Sequence, residues 1–545
     1  MSENLQDIAK QVEERAKELE VPSTQEPLDV AFIKQCLDRN ERGDGELFAA
    51  LFRDKYLNNV TLQDEKKGVP WFAWDGNIWA PDNYKQVVDA VEAVALEYQR
   101  VGDLLDAEIE EQGGVDKEDD DFWKVILRDA YYKRVKKLRS KAGAGNTIYW
   151  APIVDTRLAV KEEELNQNPW LLPVKNGVID LEKGVLIKGR PSDRMTKVLD
   201  VEYDPRADYT LWVEVLKEIT DSEEEMPNFI KRTTGYAATG FSFEQYIWIF
   251  LGPGRNGKGV FFNLINEILR PWFHTISASM LLKQRNPPSP AAATEHLYSL
   301  LNKRIAVGSE TNKGDLIDAA CVKDMTGEGE IVCRPNFRSE INYYPTHSLF
   351  LQTNSVPLGM TQDFALRQRM LLLEFPWRYV DDVELEKKKW PQFADRFRQK
   401  DPKLKDRLRA IKPGILRWIV EGCREWQEIG LAPPKKIIDA VDKLSDAEDY
   451  IGRFAADCLE MLPDEPNTRI LCTAMYNAFE WWWEGNEGSS KKKSPPAMKT
   501  VNNGLRDKGF QVEPRGGKTW IYRCRIALDI SMEVDNFVLK KRSKS

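Results

Sequence analysis

Lys258 stands at the end of a glycine-rich run, LGPGRNGKG, in which Gly252, Gly254 and Gly257 leave the backbone free to fold tightly around an anion. The spacing GxxxxGK between an apolar stretch and an amphipathic one suits phosphate binding: backbone N–H groups converge on the oxygens and the lysine meets the β- and γ-phosphates. Asn256 and Gly259 complete the loop, and Gly259 occupies the place where a Ser or Thr hydroxyl usually meets Mg²⁺. Two further polar residues end apolar runs: Glu310 after RIAVGS, a carboxylate able to hold Mg²⁺ or polarise water, and Asn354 after HSLFLQT, an amide able to orient that water. Arg367 and Arg369 directly precede Met370–Leu373, where a guanidinium could stabilise charge on a phosphate held by a neighbouring subunit. Read singly, each has a plain alternative as a glycine turn, a strand-end cap or a surface arginine.

These residues need strands to carry them. Tyr246–Leu251 reads as a buried strand, Val260–Leu269 as a helix, and Arg304–Gly308 as a further strand, so short apolar strands alternate with helices between about Asn228 and Pro376. Upstream, apolar residues at three-to-four spacing from Asn83 to Arg139 predict packed helices, and KNGVIDLEKGVLIKG predicts a hairpin. Downstream, KLKDRLRAIKPGILRWIVEGCREWQEIG predicts a helical lid. Asp446–Ile526 then predicts three helices and a hairpin with the turn RGGK, the order of a winged helix. There, a third helix would present Lys499, Asn502, Asn503 and Arg506, and a wing Arg515 and Lys518, to DNA or to a docking protein. The run Trp481–Trp483 is expected to pack rather than stack on bases, because consecutive helical residues do not share a face.

The expected fold class is multidomain α/β and α. Its divisions are a charged helical segment and linker (1–70), a helical domain (71–227), a nucleotide-binding core (228–380), a helical lid (381–445), a winged-helix-like domain (446–530) and a basic tail (531–545). A chain of 545 residues exceeds the roughly 100–200 of one domain, and 42% hydrophobic residues supply large cores. No apolar run approaches the roughly 20 residues that span a bilayer, so no membrane partner is expected, and cytoplasm (the host's, for a virus) is the expected compartment. Seven scattered cysteines without CxxC and three histidines support neither a disulfide framework nor a zinc module. The net charge of −8 argues against a uniformly basic coat but leaves local basic patches open, among them Lys133–Lys141 beside the acidic run Asp116–Asp121.

Taken in order, LGPGRNGKG, RIAVGSET, VKDMTGEGEIVCRPNFRSE, LFLQTNSVP and ALRQRMLLLEFP resemble the superfamily 3 helicase core of phage, plasmid and poxvirus-type primase-helicases, and NPWLLPVKNGVIDLEKG resembles the region preceding it. The resemblance covers about Trp71–Trp377 and implies an AAA+ fold, ATP and Mg²⁺ as cofactors, and a ring, usually hexameric. It assigns Lys258 as the Walker A lysine, Glu310 as the Walker B acid and metal residue, Asn354 as the sensor, and Arg369, with Arg367 second, as the arginine finger. It also implies a hairpin between Glu330 and Tyr344 that tracks single-stranded DNA near Arg334, Asn336, Phe337 and Arg338. The expectation is therefore a replicative helicase of a phage, virus or mobile element moving 3′ to 5′ on single-stranded and forked DNA, with a separate primase or polymerase as a further partner and no primase domain of its own. Gly259 keeps a rival open, an ATP-binding initiator or assembly factor with weak hydrolysis, and a non-helicase P-loop motor would share the same ATPase residues.

Overall fold

Apolar stripes on Val30–Asp38 and Asn40–Phe52 bring Ile33, Cys36, Leu47 and Phe48 into one core with Tyr98 and Tyr131 from the helices Val91–Glu111 and Phe122–Leu138. This computed structural model describes residues 28–61, 71–222, 224–284, 294–312, 314–336, 340–486 and 495–542. The expected division at residue 70 does not follow the packing. The helices before it share one apolar core with those after it, so the bundle begins by residue 30. A small sheet flanks it, in the order Trp79–Pro81, Trp71–Trp74, Tyr56–Asn59 and Ala159–Val160.

The predicted hairpin is a three-stranded meander, Leu171–Val174, Gly177–Asp180 and Val185–Ile187. It leads into helices α1 (Thr210–Thr220) and α2 (Glu225–Ala237), then β1 (Ile247–Leu251), α3 (Lys258–Leu269), β2 (Phe273–Ser277) and β3 (Ile305–Ser309). After α4 (Ala319–Thr326) come β4 (Ser348–Thr353), α5 (Phe364–Gln368), β5 (Met370–Glu374), α6 (Lys412–Ile429) and α7 (Lys435–Glu448). The five strands form a parallel sheet ordered β5-β1-β4-β3-β2. Successive side chains of a strand point to opposite faces, and here both faces are covered. Trp248, Phe250, Val307, Phe350 and Leu373 meet α1, α2, α3 and α6 on one side; Ile249, Ala306, Leu351 and Leu372 meet α4, α5 and α7 on the other.

The segment expected as a lid is divided between two roles. α6 belongs to the main core: Trp418 packs edge-on against Trp212 of α1 with ring centroids 5.7 Å apart. Gly422 of α6 and Gly235 of α2 meet backbone to backbone, where a Cβ on Gly235 would stand 2.1 Å from the Cys423 nitrogen. α6 is eighteen residues long and buries nine of them, a stripe too wide for a surface lid, and it closes the sheet's lower layer instead. Of this segment and the strand before it, only residues 378–410, with the short parallel ribbon Arg378–Val380 and Phe397–Gln399, border the glycine loop.

Arg304, one residue before β3, is buried and joins the meander to the sheet. Its guanidinium donates to the carbonyls of Ala238 (2.7 Å), Leu171 (2.8 Å) and Asn168 (3.1 Å) and lies 4.0 Å over the Trp272 ring. Burial pulls its pKa down to about 9, which leaves it charged at neutral pH.

The C-terminal region has its own core. Helices Tyr450–Cys458, Cys472–Asn486 and Met498–Asp507 pack against a sheet ordered Arg469–Leu471, Lys518–Tyr522 and Val512–Arg515. Trp482 and Trp483 are buried in it as expected. The expected tail differs: Leu528–Arg542 is a helix whose Val534 joins this core and whose Lys541 pairs with Glu480 at 2.7 Å. All seven cysteines are free. No helix among the described residues is long and apolar enough to cross a membrane.

Candidate active site

Parallel strands deliver their C-terminal ends to one edge of the sheet. Leu251 of β1 lies opposite Thr353 of β4, so the loop after β1 and Asn354 after β4 are neighbours. β3, alongside β4, ends at Ser309, and Glu310 donates its backbone N–H to the Gln352 carbonyl. The glycine loop, Glu310 and Asn354, chosen from three separate stretches of sequence, therefore share a cleft of about 1080 Å³.

Lys258 opens α3 with only 3% of its surface exposed. Its Nζ donates to the Gly252 carbonyl at 2.6 Å and to Asn354 Oδ1 at 3.4 Å, and burial pulls its pKa down to about 8. Asn256 is buried beneath the loop, where its Nδ2 donates to the Phe375 carbonyl and its Oδ1 accepts from the Lys258 N–H. The loop's left-handed positions are Gly257, at φ +95°, and Arg255, at φ +63°, rather than Gly254. At Gly257 glycine is required twice, since a Cβ would also stand 2.7 Å from Ile219 Cγ2. At Gly254 and Gly259 a Cβ would meet open space.

Glu310 is exposed to the cleft with φ +67°. Beside it, the hydroxyls of Thr311 and Thr353 are 2.5 Å apart, one donating to the other, and the Ser355 carbonyl lies 3.0 and 2.8 Å from them to accept the remaining proton. The described residues contain no cluster of three or more His, Cys, Asp or Glu able to hold a metal ion alone. One carboxylate beside the glycine loop still fits Mg²⁺, an ion that keeps several waters and binds through one or two carboxylates plus the phosphates of a nucleotide.

Residues without any motif close the cleft. Glu214 and Glu218 of α1 form one wall; Tyr379, Lys400, Lys405 and Arg407 form another. Lys400 pairs with Asp381 at 3.0 Å and Arg407 with Asp401. The only sequence signal for this wall was its mixed charge, which ordinary surface helices share.

Arg367 and Arg369 do not join the cleft. Ile247 donates its backbone N–H to the Arg369 carbonyl, which sets both arginines at the N-terminal edge of the sheet, a full strand length from the glycine loop. Arg369 Nη1 donates to the Lys323 carbonyl and Thr326 Oγ1, both at 2.9 Å, closing the C-terminal end of α4. Arg367 pairs with Asp442 of α7 at 2.8 Å.

The expected hairpin forms from Ile331–Cys333 and Ile341–Tyr343 and leads into β4 at the edge remote from the cleft. Arg334 and Asn336 are exposed near its tip; their backbone N–H groups donate to Thr294 Oγ1 and Glu295 Oε2. Phe337 and Arg338 lie outside the described residues. In the C-terminal region, Lys499, Arg515 and Lys518 are exposed. Arg506 is partly tied down, donating to the Val512 carbonyl and Asn503 Oδ1. Asn502, expected to face outward, is buried, because Val501 and Leu505 turn that face of the helix into the core.

Residues 49–221 match the family described as D5 N terminal like, in the stretch that precedes β1. The chain is 23% identical over 328 residues to "Putative helicase L207/L206" of Acanthamoeba polyphaga mimivirus, covering 59% of this chain and 34% of that protein. It is 22% identical over 510 residues to "Putative helicase 121R" of Invertebrate iridescent virus 3, covering 84% and 52%. It is 21% identical over 420 residues to "Putative primase C962R" of African swine fever virus (isolate Warthog/Namibia/Wart80/1980), covering 73% and 42%. The chain thus spans between about a third and a half of the length of these relatives. Among solved structures it is similar to the NrS-1 C terminal region at 11% identity and a TM-score of 0.36, over 59% of this chain and 76% of that one. The sequence relatives bear out the resemblance carried by the motifs, to viral superfamily 3-type helicases of the D5-like primase-helicase family.

Proposed function

We propose, from this kinship with viral superfamily 3-type helicases, that the chain is an ATP-driven replicative DNA helicase working as a ring, most simply a hexamer, with 3′ to 5′ movement. The observation that carries the reading is the convergence of Lys258, Glu310 and Asn354 on one cleft from three strands of a β5-β1-β4-β3-β2 sheet. We read that sheet as an AAA+ core, the region from residue 446 as a winged-helix-like domain, and residues 378–410, rather than 381–445, as the wall over the nucleotide.

In this reading the loop N–H groups and the start of α3 bind the phosphates, and Lys258 leaves the Gly252 carbonyl to meet the γ-phosphate. Glu310, with the nucleotide's own oxygens, would hold Mg²⁺, which supplies charge neutralisation. Glu310 also orients the attacking water, and Asn354 senses the γ-phosphate. Arg367 and Arg369 serve a nucleotide on another copy, because neither reaches the cleft of its own chain. Arg334 and the hairpin tip follow single-stranded DNA, while Lys499, Arg515 and Lys518 contact duplex.

ATP hydrolysis by wild type, Lys258→Ala and Glu310→Gln, with and without single-stranded DNA, tests the reading alongside unwinding of a forked duplex. Stimulated hydrolysis with unwinding, lost in both variants, supports the motor. Gly259 favours one other reading, an assembly factor that binds ATP without turnover, and nucleotide-dependent oligomers with neither activity would establish it. Hydrolysis without strand separation would point to a P-loop motor of another kind.

A further inference from the structure

Helices Val30–Asp38 and Phe122–Leu138 border a second cleft, of about 910 Å³, on the N-terminal bundle and apart from the nucleotide site. Lys34, Lys133 and Lys136 are exposed along it without an ion pair to any described residue, Asp38 is the single carboxylate of its lining, and Asp121 at the mouth is hydrogen-bonded to the Trp123 side chain. Its floor is apolar, from Leu127 and Ala130, and at its mouth the Trp123 indole is 51% exposed although it is among the most costly side chains to leave in water. Trp123, Leu127, Ala130 and Lys133 follow one another at three-to-four spacing, so indole, floor and ammonium groups share one helix face. That face is held in place from beneath: Arg134, buried, donates to Asn40 Oδ1 at 2.6 Å and to Asp44 Oδ2 at 3.3 Å.

A basic groove with an exposed aromatic platform is the combination that holds an unpaired strand, with phosphates on the ammonium groups and a base on the ring. We propose that this cleft binds single-stranded DNA, as a contact separate from the hairpin at Arg334. A duplex does not suit it, since the indole needs an unstacked base face. The preference for DNA over RNA rests on the helicase reading, whereas the cleft's chemistry does not.

The test measures binding of labelled (dT)20 to the full chain without nucleotide, in an Arg334→Ala background that weakens the hairpin contact. Lys133→Glu/Lys136→Glu should bind at least about tenfold more weakly, with the slope of log affinity against log salt reduced by about 1.4, the value for two phosphates on a single strand. Trp123→Ala should bind at least about fivefold more weakly with an unchanged slope, since stacking does not release counterions. The lysines are exposed, so DNA-independent ATP hydrolysis and the unfolding midpoint should match wild type. Unchanged affinity in both variants overturns the proposal, as does displacement of (dT)20 by polyglutamate at equal charge, which would mark an acidic-polypeptide site. Equal affinity for (U)20 leaves the cleft as a strand site and removes only the DNA preference. Because nucleotide is absent, a protein that binds (dT)20 here yet hydrolyses no ATP refutes the motor reading alone.

Discussion

The Lys258 ammonium is folded back onto the carbonyl of Gly252, 2.6 Å away in its own loop, with Asn354 Oδ1 3.4 Å off on the adjoining strand end. It is buried without a carboxylate partner, and so its pKa falls from the ordinary lysine value to about 8. In the proposed reading a nucleotide phosphate supplies the missing anion.

Nucleotide affinity should therefore fall above pH 8. There the free protein holds Lys258 neutral while the bound state favours the ammonium, so binding takes up one proton and weakens by up to about tenfold per pH unit. Titration calorimetry in buffers of different ionisation enthalpy reads that proton directly, and Lys258→Ala should abolish it. The stability effect has the opposite sense: the folded pKa lies below the unfolded value, the unfolded chain binds more protons above pH 8, and Lys258 makes the empty protein more stable as pH rises toward the ordinary lysine range.

Gly259→Ser should fold normally, since a Cβ there meets open space and the site lies in the first turn of α3. Its hydroxyl would face the cleft beside Lys258 and supply the ligand the loop lacks. The Mg²⁺ concentration for half-maximal hydrolysis should drop several-fold; an unchanged Mg²⁺ requirement would show that Glu310 and the phosphates already suffice.

Arg367→Ala and Arg369→Ala should separate a catalytic contribution from a structural one. Arg369 closes α4 through the Lys323 carbonyl and Thr326, so its loss should cost about 1–3 kcal/mol in urea unfolding as well as activity. Arg367, paired at the surface with Asp442, should cost little stability. An equal mixture of Arg369→Ala and Lys258→Ala chains should recover about a quarter of wild-type hydrolysis, because random pairing then unites one intact lysine with one intact finger at a quarter of the contacts.

Arg304→Met should loosen the tie between meander and sheet. The carbonyls of Ala238 and Leu171 lose the guanidinium in a dry junction, at about 1–3 kcal/mol each if left unsatisfied, while that of Asn168 keeps the Leu171 N–H at 3.4 Å. Hydrogen exchange should rise first in Leu171–Val174 and at the start of β3, before the rest of the sheet opens.

The cleft was legible in sequence to the extent that local signals reach. Gly252–Gly259, Glu310 and Asn354 each sit where an apolar run stops, and a parallel sheet must gather such stops along one edge. The meander at Lys175–Gly189 also announced itself through turn residues and β-branched neighbours, whereas the hairpin about Arg334 was implied only by the family resemblance. What failed was long-range. Nothing local tells that Ile33 and Phe48 complete a core built mostly after residue 90, or that Trp418 seals the floor of the sheet instead of covering the nucleotide. Asn502 was misplaced because a polar side chain between Val501 and Leu505 gives no sign of which way its helix turns. Tyr379 and Lys400 went unnoticed because no motif marks a wall assembled from a short ribbon.

The glycine loop and the arginine pair lie at opposite ends of the adjacent strands β1 and β5. A finger role for that pair makes each chain a link with two unlike ends, one a socket and the other a plug. Such links join only head to tail, and a two-fold dimer would leave every socket empty. The angle between successive links then decides whether the series closes on itself or runs on as a filament, and closure is the one outcome in which no terminal copy lacks its arginine.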